Sequence, residues 1–172
     1  MPGVHAPPIT VLQNLAAHQT AYVEGGPRLA AWCLHRDSAV HRARALLRCE
    51  LTALRIADEL IGDVELVVAE LASNAVRHAR GPYELRVLYD RGVPVEAEVA
   101  DAGTGADLVD ELLDRPLVIP DSIEDLELGG RGLRLVAALT GGRCGGRQVR
   151  LCGTGRAGTG VWFGLPTQDR PA

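Results

Sequence analysis

The stretch ELVVAELASNAVRHAR, residues 65–80, constrains the fold most, because its apolar and polar residues recur at helical spacing on two separate arcs. At about 100° per residue, Glu70, Asn74 and His78 fall within one sector of about 80°. Apolar residues fill a separate arc: Val64, Val68, Leu71, Ala72, Ala75 and Ala79. Asparagine is unfavourable inside helices because its side chain competes for backbone hydrogen bonds. The stretch therefore predicts a helix with one face in a core and the other turned to solvent or to a ligand.

The composition favours one globular domain and argues against nucleic acid as a partner. Of the 172 residues, 47% are hydrophobic and 23% charged, which suits a single domain with a sizeable core. A net charge of -4 gives no positive field for a polyphosphate backbone, and 3% aromatic residues leave little surface for base stacking. There is no apolar run of about 18 residues and no signal-peptide pattern, so we expect no membrane contact and a cytoplasmic location.

The four cysteines are Cys33, Cys49, Cys144 and Cys152, and no two of them form a CxxC pair. They lie in segments whose pattern is typical of helix or strand. We therefore expect reduced, buried thiols rather than a metal site or disulfides.

The first half of the chain is predicted to contain one strand and two helices. Residues 1–27 are rich in Pro, Gly and small polar residues and are predicted to be an arm that is flexible or forms a short helix. The segment 28–34, RLAAWCL, is predicted as a strand. Apolar residues at helical spacing predict a first helix from Ala39 to about Ile56, and a second helix, capped by Asp63, that ends at Arg80.

The second half is predicted to contain two β-hairpins separated by a long loop and a helix. Residues 83–90 and 93–100 alternate in polarity around a short turn, which predicts the first hairpin. Ala106 to Leu128 is acidic and interrupted by prolines, so we expect a lid or loop without regular structure. A helix is predicted after GGRG, and residues 147–165 are predicted to form the second hairpin. The domain is expected to span 28–165, followed by a tail over 166–172.

Two glycine-rich motifs could bring the backbone close to a nucleotide. In DAGTG, Asp101 ends a strand, and its carboxylate can accept a hydrogen bond from an exocyclic amine such as that of adenine, although the motif also suits a plain turn. In GGRGL, Gly130 and Gly132 would expose N–H groups at a helix start, where phosphate binds readily. Arg131 is either a cation for a terminal phosphate or an exposed turn residue. No Lys follows as in a Walker A loop, and no GxGxxG follows a strand.

The order of these motifs resembles that of the Bergerat-fold (GHKL) ATPases, the superfamily of gyrase, MutL and histidine kinases. The motifs are a polar-faced helix with E-x-x-x-N, a strand ending in D-x-G-x-G, and G-x-G-L at the start of another helix. The resemblance covers roughly residues 28 to 165. It implies an α+β two-layer sandwich, in which a mixed, mostly antiparallel sheet is covered on one face by helices.

The resemblance also implies roles for residues that match the motifs by position. Asn74 resembles the residue that holds Mg²⁺ through its side-chain oxygen. Glu70 resembles the general base that activates a protein hydroxyl or a water, although it could instead pair with an arginine. Asp101 resembles the carboxylate that reads adenine, with Gly103 and Gly105 beside it.

Other positions are matched to the phosphate end of such a site. Gly130, Arg131 and Gly132, followed by Leu133, resemble the phosphate cradle, and the acidic segment 106–128 resembles the ATP lid. Arg77 and His78 share the polar arc of the long helix, and both could support the ligand-binding residues. Arg77 could instead contact phosphate or solvent, and His78 could instead pack against a helix or act in catalysis. The final strand departs from the family pattern, because Thr159 and Gly160 stand where Lys-Thr is common.

The layout is most similar to the small stand-alone anti-sigma factor kinases of the RsbW and SpoIIAB type. That resemblance implies a homodimer that uses ATP and Mg²⁺, binds a sigma factor, and phosphorylates a serine or threonine of a STAS-type anti-anti-sigma factor. Two alternatives stay open from the sequence. One is a non-enzymatic, ATP-dependent protein-binding module, and the other is a weak ATP hydrolase.

Overall fold

The computed structural model describes residues 10–13, 18–22, 27–114 and 131–166. The strands are β1 Thr10–Gln13, β2 His18–Tyr22, β3 Arg28–Leu34, β4 Tyr83–Asp90, β5 Val93–Asp101, β6 Cys144–Arg150 and β7 Ala157–Gly164. The helices are α1 Ala39–Ala53, α2 Asp58–His78, α3 Ala106–Asp114 and α4 Arg131–Leu139. The predicted strand at 28–34 and both predicted hairpins are confirmed.

The strands form one seven-stranded sheet in the order β1-β2-β3-β4-β5-β7-β6, and every neighbouring pair is antiparallel. Alternate positions of the inner strands point toward the helices and are almost fully buried, as Trp32, Leu85, Val99 and Phe163 show. The opposite face carries polar groups such as Glu98. This arrangement confirms the predicted α+β sandwich with helices on one face of the sheet, but among the described strands the sheet is entirely antiparallel rather than mixed.

Helices α1 and α2 pack on the sheet because each carries an apolar stripe at a spacing of three or four residues. In α1 the buried stripe is Ala39, Ala43, Leu47 and Leu51. In α2 it is Ile61, Val64, Val67, Val68, Leu71, Ala72 and Ala75. Burial of one such aliphatic side chain stabilises the fold by about 1.5–3 kcal/mol relative to exposure. The two stripes account for much of the core between the layers.

The start of α2 differs from the prediction. The helix begins at Asp58, and Asp63 is an exposed residue of its interior rather than its cap. Ile61 is buried, so the apolar stripe extends one turn further toward the N-terminus. Asp58 and Glu59 lie in the first turn, where carboxylates interact favourably with the helix dipole.

Two other segments have more regular structure than predicted. The short helix considered for the N-terminal arm is wrong, since β1 and β2 instead extend the sheet beside β3. The first part of the predicted lid is the helix α3, because Val109, Leu112 and Leu113 recur at helical spacing and pack against the core. Residues 115–130, which include the rest of the lid and Gly130, lie outside the described residues. The domain boundaries at 28 and 165 stay predictions.

All four cysteines are free thiols. The prediction that they are buried is wrong, because Cys33 and Cys49 are exposed and Cys144 and Cys152 are only half-buried. Cys33 occupies a β3 position that alternates with buried Trp32 and Leu34, and Cys49 lies on the outer side of α1. Among the described helices, none is both long enough and apolar enough to span a bilayer.

Candidate functional site

A cavity of about 1010 Å³ lies between α2, α3, α4, β5 and β7. Its size suits a nucleotide-sized ligand. The lining brings together most of the predicted site residues: Glu70, Asn74, Arg77, His78, Asp101, Gly103, Gly105, Gly132 and Leu133. Gly130 lies outside the described residues, and Arg131 is the first residue of α4. The polar arc of α2 therefore faces a cavity.

One end of the cavity is built around the carboxylate of Asp101, the last residue of β5. Asp101 is 7% exposed, and its Oδ1 accepts a hydrogen bond from the Gly103 N–H at 2.7 Å. Burial raises the pKa of Asp101, and the Gly103 hydrogen bond partly opposes that rise. A Cβ on Gly103 would lie 2.7 Å from the same carboxylate oxygen. Glycine at this position therefore allows a buried acceptor to be held at the cavity floor.

Thr159 supports the same end from the neighbouring strand, and the sequence analysis did not assign it to the site. It pairs with Asp101 in the β5–β7 register, is buried, and donates its hydroxyl to the Gly103 carbonyl at 3.1 Å. The next residue, Gly160, faces the opposite side, where its missing side chain leaves room for the Glu98 carboxylate. Thr159 and Gly160, which stand where Lys-Thr is common in the family, therefore lie on opposite faces of β7, Thr159 beside Gly103 and Gly160 beside Glu98. Thr159 could have been assigned to the site only if its pairing with Asp101 in the sheet had been known.

The other end of the cavity joins α2 to the start of α4. Glu70 and Asn74 are one turn apart on α2 and line the cavity together. A Cβ on Gly132 would lie 2.6 Å from Glu70 Oε2 and 3.2 Å from Asn74 Nδ2. The first turn of α4 therefore sits directly against this pair. The first N–H groups of a helix have no partner within the helix, and together with the positive dipole end they favour an anion at the same place.

This end has the chemistry to hold Mg²⁺ together with phosphate groups. The Asn74 side chain carries a carbonyl oxygen, and oxygen ligands are those that Mg²⁺ prefers. Within the described ranges, no three His, Cys, Asp or Glu side chains converge as a metal site. Mg²⁺ usually binds through one or two protein groups plus the phosphates of its substrate, and this donor set fits that pattern.

A basic rim lies at the C-terminal end of α2. Arg77, His78 and Arg80 are exposed and line the cavity. Arg77 Nη2 lies 3.5 Å from Ser73 Oγ, at the limit of a hydrogen bond. The Arg80 carbonyl accepts the Ala102 N–H at 3.1 Å, which ties the end of α2 to the DAGTG loop. Supporting roles for Arg77 and His78 stay predictions.

An apolar wall faces the cavity from α3. It consists of Leu108, Val109 and Leu112. Leu108 is 53% exposed. Apolar side chains of this kind suit the flat face of a base. The sequence analysis missed this wall because it predicted no helix after Gly105.

Residues 34–141 match the protein family described as Histidine kinase-like ATPase domain. The match covers well over half of the 172 residues. It includes the residues at both ends of the cavity on α2, β5 and α4, and it ends before β6 and β7. No match was found among curated proteins.

Proposed function

Because this chain belongs to the histidine kinase-like ATPase family, we propose that it binds MgATP in the cavity and acts as an anti-sigma factor kinase. In this proposal it binds a sigma factor, and it transfers the γ-phosphate of ATP to a serine or threonine of a STAS-type anti-anti-sigma factor. We further propose that it acts as a cytoplasmic homodimer. The order and spacing of the motifs support this subgroup.

The main support for the proposal is that the two ends of one cavity differ in chemistry. The Asp101 end offers a fixed hydrogen-bond acceptor beside an apolar wall, which suits adenine. The Glu70–Asn74 end meets the N-terminal turn of α4, which suits phosphates and a divalent cation. A single ligand with a base at one end and phosphates at the other satisfies both ends.

The residues divide the work of phosphate transfer among them. The Asp101 carboxylate accepts a hydrogen bond from the exocyclic amine of adenine and so fixes the base, while the Asn74 side-chain oxygen would bind the cation. Mg²⁺, when bound, neutralises phosphate charge that would otherwise repel the incoming hydroxyl. Glu70 is positioned to accept the proton of a serine or threonine hydroxyl as that oxygen attacks. Gly132 keeps the α4 backbone close enough to reach the phosphates.

The binding part of the proposal is tested by calorimetric titration of the full chain with ATP, with and without Mg²⁺. We expect saturable binding that requires Mg²⁺ and is weakened at least tenfold by Asn74→Ala or Asp101→Asn, the loss of about 1.4 kcal/mol. Asp90→Asn is the matched control, because Asp90 is an exposed aspartate at the end of β4, outside the cavity. Absence of binding by folded wild-type protein contradicts the proposal.

The catalytic part is tested with radiolabelled ATP and STAS-domain proteins from the same genome. We expect label on a serine or threonine of one of them, and loss of that label with Glu70→Gln while ATP affinity is kept. Glu59→Gln, an exposed change on the same helix, serves as the control. Partner binding that depends on ATP without transfer would instead support a non-enzymatic module, and phosphate release without a partner a weak ATP hydrolase.

A further inference from the structure

Helix α3 is held on strand β6 by a contact between two residues that have no role in the proposed chemistry. Asp110 Oδ1 accepts a hydrogen bond from the Gly146 backbone N–H at 2.7 Å. Among the described strands, β6 is the last in the sheet order, so one of its edges has no neighbour among them. Backbone donors at such an edge pair with water or with an acceptor from another element. The Asp110 carboxylate supplies that acceptor from α3.

The same place on β6 requires glycine for steric reasons. A Cβ on Gly146 would lie 2.5 Å from the Ala106 carbonyl oxygen and 2.9 Å from Val109 Cβ. The first of these atoms belongs to the helix backbone and cannot rotate away. Gly146 therefore lets α3 approach the strand closely enough for Asp110 to reach its N–H.

The docked helix turns its apolar wall, defined above as Leu108, Val109 and Leu112, toward the cavity. Asp110 lies two residues from both leucines, which places it on the other side of the helix, toward β6. Asp110 is exposed, and its hydrogen bond acts together with the packing of Val109, Leu112 and Leu113 on the core to set the rotation of α3 and its height above the sheet. The rotation and height of α3 determine where Leu108, which is half exposed, would contact a ligand.

We propose that Asp110 is a positioning residue of the nucleotide cavity, which acts through the Gly146 N–H to hold the apolar wall against the base of the bound nucleotide. This inference rests on the proposed ATP binding and deepens it. Asp110 touches no part of the ligand. Its effect is confined to the base and ribose, because the wall offers no charged or polar group to the phosphates.

The test is calorimetric titration of the full chain with MgATP and with ADP, for Asp110→Ala, Asp110→Asn and Glu111→Ala. We expect Asp110→Ala to weaken ATP and ADP binding by the same factor of about three to ten. Asp110→Asn keeps a side-chain oxygen that can accept the Gly146 N–H, so it should restore most of the affinity. Glu111→Ala, an exposed neighbour on α3 outside the cavity lining, should bind as wild type.

Amide hydrogen exchange adds a readout of the contact itself. Exchange at Gly146 should be faster in Asp110→Ala and close to wild type in Asp110→Asn. Gly146→Ala should also lower the affinity, because its Cβ meets the Ala106 carbonyl oxygen and Val109 Cβ and so displaces α3 together with its apolar wall. Wild-type affinity in Asp110→Ala, or equal losses in the Asn and Ala variants, overturns the positioning role while leaving ATP binding intact. Failure of wild-type protein to bind either nucleotide overturns the proposed function as well.

Discussion

Replacement of Gly132 by alanine should damage the chemistry of the site while leaving the fold intact. Gly132 is the second residue of α4, where alanine is favoured over glycine by up to about 1 kcal/mol. The new Cβ would lie 2.6 Å from Glu70 Oε2, so the carboxylate must retreat by about 0.8 Å to reach an ordinary contact of 3.4 Å. The carboxylate is the far end of a flexible side chain, so the retreat costs little stability. A shift near 1 Å in a reacting group can lower a rate about 100-fold.

We therefore expect Gly132→Ala to unfold in denaturant at a midpoint equal to or above that of wild type. ATP affinity should fall by less than tenfold, whereas phosphate transfer should fall about 100-fold. Gly62→Ala on α2 is the control, because a Cβ there meets nothing within 4 Å. A destabilisation of about 2 kcal/mol or more, well beyond the usual effect of a surface change, or unchanged transfer, would refute the reasoning that Gly132 acts on Glu70.

Three further results are expected. Burial raises the pKa of Asp101, so as pH is lowered ATP affinity should begin to fall at a higher pH than it would if this aspartate were exposed. The same raised pKa makes the unliganded protein gain stability as pH falls through that range. Denaturation of Asp101→Asn across pH should lack this gain. Thr159→Val leaves the Gly103 carbonyl without its donor and should cost about 1 kcal/mol of ATP binding by titration. Arg48 lowers the pKa of Glu65 through two hydrogen bonds of 2.8 and 2.6 Å. The protein should therefore lose stability as pH falls from the ordinary glutamate pKa through the lowered pKa of Glu65, and denaturation of Glu65→Gln should show no such loss.

Much of the fold follows from the local periodicity of apolar residues. The errors in the prediction arise where this periodicity does not mark the start of an element or the face that is buried. The stripes of α1 and α2 and the alternation in the β4–β5 hairpin are strong local signals. The start of α2 was misplaced because Asp63 is a good capping residue that happens to lie on an exposed face. The helix α3 was missed because acidic residues and nearby prolines outweighed a short apolar repeat. Cysteine exposure depends on which face of β3 or α1 meets the other layer, which sequence alone does not fix.

The candidate site was predictable to the extent that its residues belong to contiguous motifs. Glu70, Asn74 and Asp101 each sit in a pattern with a local chemical reason, and the structure brings them to one cavity. Thr159 and Asp110 belong to no motif, because their partners are far along the chain. Thr159 reaches back to Gly103, and Asp110 reaches forward to β6. Such contacts depend on strand register and helix docking, and no local pattern contains that information.

The two ends of the cavity are held by different kinds of structure, and this difference separates the placement of the base from the placement of Glu70. Asp101 and Thr159 lie on neighbouring inner strands, where a ladder of backbone hydrogen bonds fixes their distance. The phosphate end depends on how closely the α4 backbone at Gly132 packs against the Glu70 side chain of α2, which is a contact between two helices. Helices can slide by small amounts where paired strands cannot. A change in the position of α4 can therefore alter the placement of Glu70 while the base stays bound, so substitutions at Asp101 and Glu70 should affect affinity and rate separately.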